Sequence, residues 1–244
     1  MKKFQGIDAG STYTKSTIID VEGNILEQKK MKSRFWKDAV TEETKCATGY
    51  FRKLIDADFK VTEISAAIVG VRKFFPNVEM IIDIGGQDVK VIDIPNNDMI
   101  MNDRCSAGTG AFLDLLAEYL GLDNSEMEEY HRKSTERSEL NNTCAVFVLS
   151  EVISAIARGS RTEDIVAGIH YSFARRIKGL LKNGRDNIAV IGGVALNGGL
   201  ISALEDVIGR KVYVPDNAQS INSIGAAEIA RRRFNDRTNQ ARQE

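Results

Sequence analysis

The sequence is poor in the residue types that stabilise small secreted domains or bind a metal within one chain. Among 244 residues there are three cysteines, two histidines and three prolines, and no two cysteines are spaced as CxxC. An odd number of cysteines argues against a disulfide framework, and the missing CxxC gives no support for a zinc ribbon or a ferredoxin-type cluster within one chain.

Net charge and long apolar runs are also missing. The 33 basic and 34 acidic residues leave a net charge of −1, so no overall field attracts nucleic acid or an anionic membrane. No apolar run approaches the roughly 20 residues that span a bilayer, and the first residues lack the apolar stretch of a signal peptide. The sequence therefore predicts a cytoplasmic protein that binds neither nucleic acid nor membrane.

The most informative feature of the sequence is an internal repeat. It matches an aspartate, a glycine and a lysine in two blocks, namely Asp8, Gly10 and Lys15 in the first and Asp83, Gly85 and Lys90 in the second. Each block has the pattern strand, tight glycine turn, strand, turn and strand. The repeat predicts an α/β fold with two similar halves that face a cleft.

The residues after the second block predict alternating helices and strands. Apolar periodicity predicts helices over about 111–120, 146–157, 165–181 and 198–207 and from Ser223 onward. Strands are predicted at 188–191 and 211–214, and the polar tail 231–244 as a frayed or solvated helix end.

The first glycine turn has the composition of a phosphate site. It lies between two predicted strands, so it is neither a Rossmann fingerprint nor a Walker A loop, whose glycines open a helix. Glycine lets backbone N–H groups approach phosphate oxygens closely, and lysine supplies a positive charge. The polar side chains that follow Gly10 are Ser11, Thr12, Thr14 and Lys15.

Asp8 and Asp83 each end a predicted buried strand, where a carboxylate suits a Mg²⁺ ion held partly through water. Two ordinary hairpins with capping aspartates are the alternative. The presence of both copies, with a third glycine pair at Gly192–Gly193, favours the nucleotide site.

Two of the cysteines precede predicted helices. Cys105 stands three residues before the Gly108–Gly110 loop, a candidate anion site, and Cys144 directly precedes another helix. A helix N-terminus stabilises a thiolate and favours a bound anionic cluster. Burial as small hydrophobic residues is the alternative for both. Cys46 has no such setting and is predicted to be structural.

His131 and His170 are the only histidines. Neither has a carboxylate or cysteine at ligand spacing, so both are predicted to be surface or packing residues.

Five segments together resemble one family, the activators of 2-hydroxyacyl-CoA dehydratases. They are DIGGQDVKVI, MNDRCSAGTGAFLD, NNTCAVFVLSEVISAIARG, EDIVAGIHYSFARRI and IGGVALNGG. The resemblance runs from about Gly6 to Ala230. These activators belong with the ATPase subunits of benzoyl-CoA reductase in the actin, sugar-kinase and heat-shock ATPase superfamily. The resemblance implies a duplicated actin-like (ribonuclease H-like) α/β fold with two lobes around a nucleotide cleft, lobe I over 1–80 plus about 217–244 and lobe II over 81–216.

The resemblance also implies the cofactors. It implies a homodimer with one [4Fe–4S] cluster on its two-fold axis, to which each chain gives Cys105 and Cys144. The stoichiometry agrees, since such a cluster takes four thiolates. Asp8, Asp83 and Gln87 become the predicted catalytic residues, acting on ATP with Mg²⁺. The residues expected along the nucleotide are Gly10, Ser11, Thr12, Tyr13, Thr14, Lys15, Gly85, Gly86, Gly108, Thr109, Gly110, Gly192, Gly193 and Gln219.

The function implied is ATP-driven electron transfer under anaerobic conditions, from ferredoxin or flavodoxin to a dehydratase or related low-potential reductase. A small-molecule kinase of the same superfamily is the alternative, although a kinase has no need of paired cysteines. A non-catalytic nucleotide sensor is a third. The chain departs from the family at Tyr13, where relatives have a small residue, at Phe51 and Ser65, and in the short stretch Met31–Thr44.

Overall fold

The computed structural model describes residues 2–41, 43–102, 109–140, 144–182 and 184–240. The chain forms two compact units. One consists of Met1–Val78 with Pro215–Glu244, and the other of Glu79–Val214.

The first unit is built on a five-stranded mixed sheet with the order β3-β2-β1-β4-β5. Strand β1 pairs antiparallel with β2 and parallel with β4, because β2 and β3 continue a meander while β4 follows a crossover. The strands are β1 (Phe4–Ala9), β2 (Tyr13–Ile19), β3 (Ile25–Lys32), β4 (Thr44–Thr48) and β5 (Phe59–Lys60). The helices are α1 (Glu63–Phe74) and α7 (Ile221–Gln240), and short 3-10 turns cover Ser33–Ala39, Arg52–Leu54 and Ala218–Ser220.

Helix α7 packs directly on β1 at Gly6 and directly on α1 at Gly225, because each glycine leaves no side chain at its contact. A Cβ atom on Gly6 would lie 1.9 Å from the Ser223 carbonyl oxygen, and one on Gly225 would lie 1.9 Å from that of Ala66. Residues two apart in a strand share a face, so α7 covers the face of the sheet that also carries Asp8.

The second unit has a four-stranded sheet with the order β8-β7-β6-β9, in which β6 pairs antiparallel with β7 and parallel with β9. Its strands are β6 (Met80–Ile84), β7 (Val89–Asp93), β8 (Asp98–Asn102) and β9 (Ile188–Ile191). Its helices are α2 (Gly110–Tyr119), α3 (Met127–Arg132), α4 (Ala145–Ala157), α5 (Thr162–Lys178) and α6 (Gly198–Ile208), with a 3-10 turn at Gly193–Leu196.

The internal repeat is confirmed down to its register. Asp8 lies directly opposite Lys15 in the β1–β2 pair, and Asp83 lies directly opposite Lys90 in the β6–β7 pair. The two meanders therefore place the same two residue types at equivalent sites of two different sheets.

Most of the remaining predicted elements are confirmed, and one is wrong. The five helices after the second block are present within a few residues of their predicted bounds. The predicted strand at 211–214 is instead a single bridge between Tyr213 and Ala189. Pro215 follows at once, and a proline has no N–H with which to extend a ladder. The tail continues α7 in largely exposed turns as far as Gln240.

Candidate functional site

The first unit brings an aspartate and a lysine together at the glycine turn. Asp8 is 4% exposed near the end of β1, and the Lys15 ammonium donates to its Oδ2 at 3.2 Å. The pair is buried but not sealed, since the Lys15 side chain keeps 16% of its surface exposed. A buried carboxylate next to one ammonium group has lone pairs left for a water or a cation.

The glycine turn is held by a residue that the sequence did not indicate. The Ser33 hydroxyl donates to the Gly10 carbonyl at 2.6 Å, and the Ser33 N–H donates to the Thr12 carbonyl at 3.1 Å. Because both carbonyls bond to Ser33, the path of the turn between them is fixed. A Cβ atom on Gly10 would lie 2.9 Å from the Tyr13 carbonyl oxygen, so a larger residue would distort the turn. Ser33 lies within the short stretch Met31–Thr44, in which the chain departs from the family pattern.

A buried hydroxyl beside Asp8 could hydrogen-bond to a water bound to a Mg²⁺ ion. Thr48 lies opposite Asp8 in the parallel β1–β4 pair and is fully buried. Its hydroxyl has no hydrogen-bond partner in the described part of the chain. A buried polar atom without a partner is costly, and a bound water or ion removes that cost. The donor set therefore suits a hydrated Mg²⁺, which binds through few carboxylates and several waters.

The polar residues of the turn do not all face the same way. Ser11 is exposed, and Tyr13 and Lys15 share the Asp8 face of the sheet. Thr14 lies on the opposite face and is fully buried, with no partner for its hydroxyl among the described residues. Its side chain is thus separated from Asp8 and Lys15 by the sheet.

The second unit gathers three glycine segments around Asp83, which is 5% exposed. Gly192 follows β9 with a φ of +97°, and a Cβ atom there would lie 2.9 Å from Asp83 Oδ1 and 2.3 Å from the Ile84 carbonyl oxygen. Only glycine fits that close approach. Gly193 opens the next 3-10 turn.

The start of helix α2 is fastened to the turn after β6. The N–H groups of Gly110 and Ala111 donate to the carbonyls of Gly85 and Gly86, each at 2.9 Å. A Cβ atom on Gly110 would lie 2.9 Å from Val194, so the three glycine segments meet. Predicted nucleotide residues from distant parts of the sequence thus lie together. Gly108 falls outside the described residues.

The two predicted glutamine sites lie in different units. Gln87 is exposed in the turn between β6 and β7 of the second unit. Gln219 is half-buried in the 3-10 turn that leads into α7 of the first unit.

Cys144 occupies the N-cap position of α4, as its predicted place before a helix requires. It is half-buried, a setting in which a thiol reaches both the helix N-terminus and a ligand. Cys105 falls outside the described residues. Within the described ranges, no three residues of the types His, Cys, Asp and Glu are grouped to hold a metal ion.

Helix α4 is apolar on more than its inward side. Val148, Val152 and Ala155 are buried, yet Phe147 is 59% exposed, and Ile153 and Ile156 are 44% and 45% exposed. These three apolar side chains are exposed although the opposite side of α4 is buried.

Cys46 is a structural residue, as predicted. It is fully buried on β4 among Phe4, Ile19 and Phe59, and this burial raises the pKa of its thiol to about 12. A thiol that stays protonated is a poor metal ligand.

The two histidines form a pair that the sequence did not predict. The Asn197 side-chain oxygen caps α6 by accepting from the Leu200 N–H at 3.0 Å, so its amide nitrogen faces His170 Nε2 at 3.2 Å and donates to it. His170 then carries its hydrogen on Nδ1 and donates to His131 Nδ1 at 3.1 Å. Burial lowers the pKa of His170 to about 3 and that of His131 as well, against the opposing pull of the Glu128 and Asp206 carboxylates on His131.

Acid should weaken the fold through this pair. The unfolded chain binds a proton at each histidine near pH 6.5, whereas buried His170 stays neutral down to about pH 3, so its stabilising effect is complete above pH 6.5 and is lost as the pH falls. We expect the free energy of unfolding to drop by about 2 kcal/mol for His170 alone between pH 7 and pH 5, measured by urea denaturation. His170→Gln should remove that part of the slope. Equal stability of the parent protein at both pH values would contradict the account.

No described helix is long and apolar enough to cross a membrane.

Comparison with known proteins finds relatives that agree with the family suggested by the sequence. The profile of the BadF/BadG/BcrA/BcrD ATPase family matches residues 5–230. The 2-hydroxyisocaproyl-CoA dehydratase activator of Clostridioides difficile is 37% identical over 237 residues, with 94% of this chain and 88% of the relative covered. The (R)-2-hydroxyglutaryl-CoA dehydratase activating ATPase of Acidaminococcus fermentans is 43% identical over 191 residues, with 75% and 74% covered.

A solved structure agrees. The structure of the 2-hydroxyisocaproyl-CoA dehydratase activator from Clostridium difficile with bound ADPNP superposes on this chain with a TM-score of 0.91. The two are 34% identical, and the superposition covers 98% of this chain and 97% of the other. The predicted fold class, a duplicated actin-like α/β fold, is confirmed.

Proposed function

The chain belongs to the BadF/BadG/BcrA/BcrD ATPase family, and from this premise we propose that it is an ATP-hydrolysing iron–sulfur activator that passes electrons to a 2-hydroxyacyl-CoA dehydratase or a related CoA-ester reductase. The relatives named as dehydratase activators support this function over the small-molecule kinase. Fold alone would not decide between the two.

The observation that carries the electron-transfer part is helix α4. Cys144 is its N-cap, and the apolar side chains of Phe147, Ile153 and Ile156 are exposed. A kinase has no use for a thiol at a helix N-terminus beside an uncovered apolar face. A second copy of the chain would cover the face and bring a second Cys144 to it.

We assign the cluster to this face. Two chains that each give Cys105 and Cys144 supply the four thiolates of one [4Fe–4S] cluster, which when bound stores and releases a single electron. The N-terminus of α4 would favour a bound anionic cluster, because the helix dipole is positive there. A homodimer is therefore part of the proposal.

The nucleotide roles follow from the two aspartate sites. Asp8 and Asp83 would hold Mg²⁺, Asp8 through waters that also satisfy the Thr48 hydroxyl. Lys15 would neutralise phosphate charge, and the Gly85–Gly86 turn would let phosphate oxygens approach the backbone. Gln87, exposed in the same turn, would orient the attacking water.

The remaining partners are those of the family resemblance. A ferredoxin or flavodoxin would supply the electron, and a dehydratase or reductase would receive it. The proposal places the protein in an anaerobic cytoplasm, where thiol ligands stay reduced.

The test is whether nucleotide state reaches the cluster. Cluster potential responds to hydrogen bonds and solvent exposure, so a site that changes with hydrolysis should change it. In protein purified anaerobically, we expect the ADP–Mg²⁺ form and the form with a non-hydrolysable ATP analogue to differ in cluster potential, followed by EPR, and in iron loss to a chelator. By linkage, cluster oxidation should shift nucleotide affinity by the same coupling energy.

If the protein is brown but its cluster potential and its rate of iron loss are identical in both nucleotide states, the cluster does not respond to the nucleotide. Colourless protein after anaerobic reconstitution would exclude the activator and favour a kinase or a nucleotide sensor.

A further inference from the structure

Strand β3 adds two lysines to the face that carries Asp8 and Lys15. In the β2–β3 pair Lys30 lies directly opposite Lys15, and Lys32 directly opposite Tyr13. Directly opposed residues and residues two apart share a face. Lys29 directly precedes Lys30 on the same strand and lies on the other face, where it pairs with Glu27 at 2.6 Å.

Tyr13 holds both added lysines in place. The ammonium nitrogens of Lys30 and Lys32 each lie 4.4 Å from the centre of its ring, and Lys32 also donates to its hydroxyl at 2.8 Å. A cation over an aromatic face is stabilised by the ring quadrupole. The hydroxyl accepts from Lys32 and keeps its own hydrogen for donation.

Among the described residues, the positive charges on this face exceed the negative ones. Lys15 is paired with Asp8, but no carboxylate among the described residues lies within ion-pair distance of Lys30 or Lys32. Two ammonium groups on one ring repel each other, and like charges in neighbouring register positions destabilise a sheet. An anion between them would reverse that cost.

We propose that Lys30, Lys32 and the Tyr13 hydroxyl form an anion subsite, next to the glycine turn, that takes a phosphate group. The inference rests on the proposed function in so far as the turn itself binds phosphate. Two ammonium groups and one hydroxyl are held around the same ring, and ammonium and hydroxyl donors form hydrogen bonds with phosphate oxygens. Tyr13 stands where relatives have a small residue, and in this proposal its function is to position the two lysines.

The phosphate has two possible sources, the outer phosphate of a bound nucleotide and free inorganic phosphate. Isothermal titration of a non-hydrolysable ATP analogue, of ADP, and of inorganic phosphate onto the ADP-bound protein separates them. We expect Lys30→Gln or Lys32→Gln to weaken binding about threefold, and the double variant about tenfold, for whichever ligand occupies the subsite. Lys30→Arg should keep most of the affinity.

Lys29→Gln is the matched control, because it removes the same charge from the same strand on the opposite face. A loss confined to the analogue supports the nucleotide phosphate as occupant, and one confined to inorganic phosphate supports the free ion. An equal loss in Lys29→Gln, or no loss in the double variant, overturns the subsite. Lys15→Ala tests the phosphate turn separately from the subsite. If Lys15→Ala abolishes nucleotide binding and the double variant does not weaken it, only the subsite proposal is wrong. If Lys15→Ala has no effect on nucleotide binding, the proposed phosphate turn is wrong as well.

Discussion

Cys144→Ser is expected to remove the iron, from about two atoms per chain to none, and with it all activation of the partner enzyme. A serine hydroxyl is not ionised at neutral pH and cannot replace the thiolate at the N-terminus of α4. Cys105→Ser should have the same effect, because the two thiolates that remain in the homodimer do not complete a site for four. Iron and sulfide analysis after anaerobic purification measures both.

Cys46→Ser is the control for that experiment. Its thiol is fully buried in the core of the first unit, where burial raises its pKa to about 12, so it takes no part in metal binding. The variant should keep its iron and lose only stability, on the order of 1–3 kcal/mol, for burying a hydroxyl without a partner. Iron that persists in Cys144→Ser would mean that the ligands lie elsewhere.

Asp8→Asn and Asp83→Asn are each expected to slow ATP hydrolysis by about 10²–10³-fold while weakening nucleotide binding much less. An amide has nearly the shape of the carboxylate but lacks the charge that holds Mg²⁺. That charge matters most in the transition state, where the transferring phosphoryl group needs compensation. Single-turnover hydrolysis and isothermal titration separate the two quantities.

Asp98→Asn provides the control, since it removes a carboxylate from an exposed ion pair with Lys182 at the start of β8. Its hydrolysis rate should stay at the parent value. If the two site variants instead lost ATP and ADP affinity equally and kept their turnover, the aspartates would be structural residues of the hairpins.

The amino-acid sequence alone determined the parts of this protein that depend on short spacing. An aspartate, a glycine and a lysine at fixed intervals set each hairpin, and the tight turn between the strands forces Asp8 opposite Lys15 and Asp83 opposite Lys90. Apolar periodicity of 3.6 residues likewise placed the start of α4 directly after Cys144. The strand expected at 211–214 was wrong because a short apolar run does not reveal whether a neighbouring strand pairs with it along its length.

Only the tertiary structure decided which distant residues meet. Ser33 reaches the turn at Gly10, and His131 lies against His170, because packing of separate elements brings them together. Parallel pairing of β1 with β4 puts the Thr48 hydroxyl beside Asp8, across a crossover whose register no local pattern specifies. The same holds for β3, where the pairing register selects Lys30 and Lys32 for the Asp8 face and turns Lys29 away from it. A shift of one residue would exchange those faces, since side chains alternate along a strand, and the choice belongs to the folded sheet.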